Sequence, residues 1–249
     1  MAFFYDLANP VRFERITRYI FPAVLGFALV TGAAGVYFAL FNSPADYQQG
    51  DSVRIMYVHV PAAWMALFCY SLMAFASAVG FIWKHPLADV AAKETAPIGA
   101  GFTFLALFTG ALWGKPMWGA WWVWDARLTS VLVLMFLYLG YMALWRAVSD
   151  KSRAARLAAI LAIVGFINVP VIKFSVDWWN SLHQPASVFK AGGPSIDGAM
   201  LIPLFLMIAA YMFGFTAMLL QSMKNELLER RLSRLERVEE ERTAKLVEL

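Results

Sequence analysis

Apolar residues in this chain fall into six long blocks separated by short polar stretches. The blocks cover about residues 19–41, 56–83, 95–113, 128–145, 157–176 and 199–221. A helix needs roughly 20 apolar residues to cross the hydrocarbon core of a bilayer, and each block is long enough. None alternates with the period of two that a membrane β-strand requires. Lipid offers no partners to exposed backbone N–H and C=O groups, so helices are the expected solution. The pattern predicts an all-α, polytopic integral membrane protein with six transmembrane helices. The first block follows Arg12, Arg15 and Arg18, as in a secretory signal. Its apolar stretch exceeds the roughly 7–15 residues of a signal core, so it reads as an uncleaved first span.

Composition agrees with the pattern and narrows the classes. Apolar residues make up 61% of the 249 and charged residues 15%. Both figures lie outside the range of soluble globular domains and of disordered chains. The net charge of +4 says less than where the cations fall. With the N-terminus in the cytoplasm, 16 of the 21 Lys and Arg lie on the inner side, leaving Arg54, Lys115, Arg127, Lys173 and Lys190 outside. The positive-inside rule therefore selects an N-in, C-in topology. Residues 1–221 form the six-span membrane domain, and residues 222–249 form a charged cytoplasmic C-terminal helix. In that tail Leu228, Leu232, Leu235 and Val238 recur at helical spacing among Glu and Arg. Such an amphipathic helix either continues the last span as a solvated rod or docks on a partner. No P-loop is present, so the chain supplies no ATP hydrolysis of its own, and no familiar catalytic motif marks it as an enzyme. A single cysteine, Cys69, excludes an internal disulfide and a cysteine-based metal site.

The chemistry gathers in the outer segments, residues 42–57, 114–127 and 177–198. His59 opens the second span and His183 lies in the last outer loop, whereas His85 falls on the inner side. One histidine at a span end is ordinarily a hydrated headgroup-level residue. Two on one side, flanking an aromatic loop, fit the two axial positions of haem iron. Zinc would ask for three or four ligands, and the outer side has no Cys. Pro61 belongs in a first helical turn, which predicts that the helix begins near His59. Ala62 and Ala63 then share the face of His59 and leave room for a flat macrocycle. The middle loop holds Trp118, Trp121, Trp122 and Trp124, four of the ten tryptophans, followed by Asp125 and Arg127. These tryptophans are either an interfacial belt or a ligand platform. The spacing of Trp118, Trp121, Trp122 and Asp125 predicts a short amphipathic helix carrying them on one face. Lys115 and Arg127 would pair with ligand carboxylates, Arg being suited to bidentate contact.

Two other classes compete. Asn168, Pro170 and Lys173 interrupt the fifth block, as in a channel or secondary transporter moving haem or another solute through its own bundle. The same residues also suit a helix bend or support for an adjoining pocket. A scaffold for an assembly complex would bind no chromophore at all.

The run Trp118-Gly119-Ala120-Trp121-Trp122-Val123-Trp124-Asp125 resembles the "WWD" signature of the haem-handling proteins of cytochrome c biogenesis. With six spans and two outer histidines, the chain is similar to the haem exporter protein C family over nearly its whole length. That resemblance implies non-covalently bound haem b at the periplasmic face of the bacterial inner membrane, with His59 and His183 as axial ligands. It implies that Trp118, Trp121, Trp122, Trp124, Asp125 and Arg127 form the haem platform and the docking site for the chaperone. Haem would pass to the periplasmic haem chaperone, maturation protein E. ABC transporter components A and B and the small membrane protein D of the same pathway would be further partners, and nucleic acid none.

Overall fold

The computed structural model describes residues 9–183, 187, 188, 190 and 192–247, with side chains as far as 244. The described residues are overwhelmingly helical and include six segments long and apolar enough to cross a membrane. Helix α1 spans Pro10–Tyr37 and ends in a π-helical turn, Phe38–Asn42. A 3-10 turn, Asp51–Ile55, leads into α2, Met56–Trp83. Helices α3 (Pro86–Trp118) and α4 (Ala126–Ala147) follow. The fifth segment is broken into α5, Lys151–Gly165, and α6, Asn168–Trp178. Helix α7 runs unbroken from Gly198 to Val247.

Local chemistry sets the ends. Asn9 accepts from the N–H groups of Val11 and Arg12, with Pro10 in the first turn. His85 caps α3 in the same way, its Nδ1 accepting from the N–H of Ala88 at 3.2 Å, and Pro86 again comes next. These are favoured starts, because the first N–H groups of a helix lack internal partners and proline has none to lose. His85 thus has a structural task at the end of the bundle remote from His59. Arg54 reaches back to the carbonyls of Ala39 and Leu40 and satisfies the end of α1.

The core is built on the antiparallel pair α2 and α3, which meet through small residues. Ala66, Cys69 and Ala76 on one helix pack with Ala92, Ala96 and Ala100 on the other. Small side chains let helix backbones approach closely where lipid supplies no hydrophobic drive. Gly99 is one such approach, since a Cβ there would collide with the ring of Tyr138, whose hydroxyl donates to the carbonyl of Ala66 at 2.8 Å. Helix α1 stands apart and packs chiefly on α7, through Gly35 against Met207 and stacked Phe27 and Phe213. Most of its large apolar side chains remain exposed, as suits a lipid-facing helix. The antiparallel contact of α1 with α7 puts the start of α1 and the far half of α7 at one end of the bundle. At ~1.5 Å per residue, α7 extends ~75 Å, far beyond a ~30 Å hydrocarbon core.

Two expectations about local structure need correction. Pro61 does not mark the first turn, because α2 begins five residues earlier at Met56. The preceding 3-10 turn already supplies helical geometry, and Pro61 simply drops one bond in the second turn. The aromatic loop is not a helix either. Trp118 ends α3, Gly119 takes a left-handed φ of 74° and stops it, and Asp125 caps α4. Residues 120–124 between these two stops are irregular, so Trp118, Trp121, Trp122 and Asp125 share no helical face.

Candidate functional site

The site sits at the bundle end formed by the 43–50, 119–125 and 179–183 segments. His59 is one turn into α2 and faces α3, where its Nδ1 lies 3.1 Å from the hydroxyl of Thr109. That hydroxyl donates to the carbonyl of Leu105 at 2.6 Å. Its proton is therefore committed, and towards His59 it can only accept, which assigns the Nδ1–H tautomer to the ring. Gly110 leaves the space, since a Cβ there would come within 3.0 Å of the imidazole. The edge of Trp113 meets the same ring at 5.7 Å, and the indole N–H of Trp113 donates to Gln49 at 2.9 Å.

His183 is held from α4 and its own loop. Asp125 Oδ2 lies 3.1 Å from His183 Nδ1 and accepts from the hydroxyl of Ser181 at 2.7 Å. The other oxygen, Oδ1, accepts from the N–H of Leu128 at 2.7 Å and so caps α4. Ser181 in turn accepts from the backbone N–H of His183 at 3.1 Å. One carboxylate therefore starts a helix and orients an imidazole together. Its side chain is only 6% exposed. Burial pushes the Asp125 carboxyl upward, but the Leu128 N–H, Ser181 and His183 outweigh it and hold the group below the usual carboxylate range. Burial holds the His183 imidazole below its ordinary value, against the opposing pull of Asp125. The pair is a carboxylate facing a neutral ring that donates from Nδ1.

The tryptophans divide by task. Trp118 packs edge-on against His183 at 5.0 Å. Trp122 and Trp124 meet edge to face at 5.5 Å, and Lys115 lies 5.9 Å over Trp121 while donating to the carbonyl of Gly119. Trp124 is 74% exposed and Trp121 55%. The indole nitrogen of Trp122 is buried without an acceptor among the described residues. Arg127 turns into the bundle, where it donates to Ser175 at 3.1 Å and to the carbonyl of Lys173. Asn168 likewise donates to the carbonyl of Ser130, so the broken fifth segment is tied to α4 at both points. His59, His183, Trp118, Trp122 and Asp125 thus gather at one end, with Arg127 buttressing the wall behind them.

Thr109, Trp113, Gln49 and Ser181 escaped the sequence reading. The spacing of Thr109 and Trp113 at i, i+4 near the end of the third block is a usable signal, because an antiparallel neighbour must put that face opposite the start of the second. Ser181, two residues before His183, is a local hydroxyl motif.

Six membrane-length helices, with two imidazoles and an indole cluster towards one end, define a multi-pass helical membrane protein. Residues 3–238 match the family model described as "Heme exporter protein C". Heme exporter protein C of Bradyrhizobium diazoefficiens is 55% identical over 239 residues, covering 96% of this chain and 90% of that protein. The Escherichia coli K12 protein of the same name is 46% identical over 224 residues, covering 90% of each. A mitochondrial ccmC-like protein of cytochrome c biosynthesis from Marchantia polymorpha is 50% identical over 190 residues, covering 76% of this chain and 80% of its own length. The chain belongs to the heme exporter protein C family, whose role is haem export in cytochrome c biogenesis.

Proposed function

We propose that this chain binds haem b as cargo at the end of the bundle that carries the tryptophan loop, and passes it to the periplasmic haem chaperone, maturation protein E. His59 and His183 are the axial ligands. That end faces the periplasm, the N- and C-termini lie in the cytoplasm, and the membrane is the bacterial inner membrane. The cation distribution supports this orientation, since the tryptophan end is poor in Lys and Arg. ABC transporter components A and B and the small protein D are the partners that complete the pathway.

The observation that carries the proposal is the shared hydrogen-bond pattern of the two histidines. Each spends Nδ1 on an acceptor, Thr109 or Asp125, which leaves the lone pair on Nε2 for a metal. Metal-binding histidines are held in this way because the tautomer and ring direction must be set before the ion arrives. The donor set also suits the cargo. Two imidazoles fill both axial positions, and the Trp122 N–H, buried without an acceptor among the described residues, suits a carboxylate oxygen such as a haem propionate. The polar groups of α6, once a reason to consider a solute path, are used on α4 and give a channel no free lining at those points.

The test is the visible spectrum of the purified full chain. Wild type is expected to show a six-coordinate low-spin haem, and His59→Ala and His183→Ala are each expected to lose that signature. Unchanged haem spectra in both variants would sink the ligand assignment. Transfer to the chaperone is read separately, by covalent loading in the presence of the purified partner.

A further inference from the structure

The two histidines are backed by different chemistry. His59 rests on a hydroxyl whose own proton is spent on Leu105, whereas His183 rests on a buried carboxylate. A hydrogen bond to an ionised acceptor is about twice as strong as one to a neutral acceptor. It also draws the Nδ1 proton away from the ring and makes Nε2 a stronger donor. We infer that Asp125 is a positioning residue that makes His183 the strong, retained ligand of the pair and leaves His59, backed by Thr109, as the ligand that lets go during transfer. The inference rests on the bis-histidine reading above.

The surroundings of Asp125 leave its carboxylate without a direct Lys or Arg ion pair among the described residues. Its close partners are neutral: the Leu128 N–H, the Ser181 hydroxyl and the His183 ring. The guanidinium of Arg127, two residues on, is directed to Ser175 and the Lys173 carbonyl and makes no ion pair with Asp125. The carboxylate's direct hydrogen bonds thus run to neutral groups, the His183 ring among them, while the Arg127 guanidinium acts on Asp125 and His183 only through space. The location suits retention as well. Asp125 is fixed at the start of α4, and the Trp118 ring packs against His183.

The experiment compares Asp125→Asn, Thr109→Val and Ser181→Ala in the full-length protein, using two measurements besides transfer. One is the rate of haem loss to excess apomyoglobin. The other is the midpoint potential from spectroelectrochemical titration. Asparagine is as good an N-cap as aspartate, so Oδ1 can still accept from Leu128 while the NH2 turns to His183. An NH2 cannot accept from Nδ1–H, so the ring is pushed to the tautomer with its proton on Nε2, the wrong atom for iron. Asp125→Asn is expected to speed haem loss by about tenfold or more. Its potential should move positive by at least a tenfold change in the ferric-to-ferrous ratio, which is 59 mV for one electron. Thr109→Val, near-isosteric, should change loss by less than about threefold and move the potential little, since its acceptor is neutral. Ser181→Ala should move the potential in the negative direction, because Oδ2 then serves His183 alone.

Equal effects of Asp125→Asn and Thr109→Val, or an unmoved potential in Asp125→Asn, would overturn the inference. If Asp125→Asn does not fold, the sign of the Ser181→Ala shift decides, and a positive or absent shift overturns it. If His183→Ala loses haem while Asp125→Asn matches wild type, only this inference fails. If His183→Ala and His59→Ala both keep wild-type haem, the bis-histidine reading fails with it.

Discussion

Each end of the bundle holds a buried carboxylate, and the two are compensated in different ways. At the end remote from the tryptophan loop, Glu226 of α7 is 8% exposed and sits between two cations. It accepts a very short bond from Lys93 of α3 and a 2.7 Å bond from Arg230 one turn further on. Lys93 also lies 5.6 Å over the ring of Trp145. At the tryptophan end, Asp125 is buried to the same degree and makes no ion pair with Lys or Arg among the described residues. Its compensation comes from an N–H, a hydroxyl and an imidazole. An anion matched by cations is an anchor, tying the root of the long α7 to α3. An anion hydrogen-bonded only to neutral donors keeps more of its field, and what it faces is a metal-ligand type of side chain. Burial alone does not separate structure from function here; the sign of the neighbours does.

Breaking the anchor gives the largest expected loss of stability. Glu226→Ala leaves Arg230 without its hydrogen-bonded anion and Lys93 with only the looser Glu94 carboxylate, 3.8 Å away. Uncompensated buried charges cost ~3–5 kcal/mol, and the remaining Glu94 pair together with the partial exposure of both cations reduces this to about 2 kcal/mol. The melting temperature in a fixed detergent should fall, while the haem spectrum stays that of wild type. A changed spectrum would mean that the two ends are coupled. Replacing the pair together, Lys93→Met with Glu226→Leu, should recover most of the loss, because apolar packing often matches a buried ion pair.

The same cut at the other end costs less stability and more function. Asp125→Ala removes the cap of α4 and the acceptor for Ser181 and His183, a loss of about 1–2 kcal/mol. Asp125→Asn restores the cap and should melt within about 0.5 kcal/mol of wild type, yet it should still lose haem faster. If haem retention followed melting temperature across the two variants, Asp125 would be an anchor like Glu226 and the contrast would vanish.

A smaller effect is expected at the hydroxyl-backed histidine. Gln49→Leu strands the Trp113 N–H, at a cost of about 1 kcal/mol, and frees the indole that borders His59. The spectrum should shift slightly without loss of haem. Full haem loss would show that the 43–50 loop, not α3, holds His59.

How much of this was legible in the sequence follows from the range of the interactions. Spans show because apolar runs are local, and six of them were readable. The third helix nonetheless begins nine residues before the readable block, at Pro86, because Lys93 and Glu94 look like a boundary until Glu226, more than 130 residues away, is brought to Lys93. The break in the fifth block was visible at Asn168 and Pro170, since a proline cannot donate to the preceding turn. The predicted platform helix failed because the periodicity of Trp118, Trp121 and Trp122 outvoted a glycine stop and an aspartate cap six residues apart. Of the site, His59, His183 and the Trp-Asp loop could be found by type and side. The partner of each ring could not, since Thr109 and Asp125 lie 50 and 58 residues away in sequence and look like ordinary span and loop residues.

The least effect is expected beyond the anchor, and it sharpens where the anchor ends. Past Arg230 the described part of α7 is exposed along its length, including Leu232 at 58% and Leu235 at 57%. A side chain already more than half in solvent gives up little on mutation, because the transfer term scales with the area removed from water. Leu232→Ser together with Leu235→Ser should therefore change the melting temperature of the isolated chain by the equivalent of less than about 0.5 kcal/mol, close to the noise of surface substitutions. Serine is a weaker helix former than leucine by a few tenths of a kcal/mol, so the small change should be a loss. A drop as large as that of Glu226→Ala would mean that this stripe is packed in the purified protein, and the anchor would then extend past Arg230 into the tail.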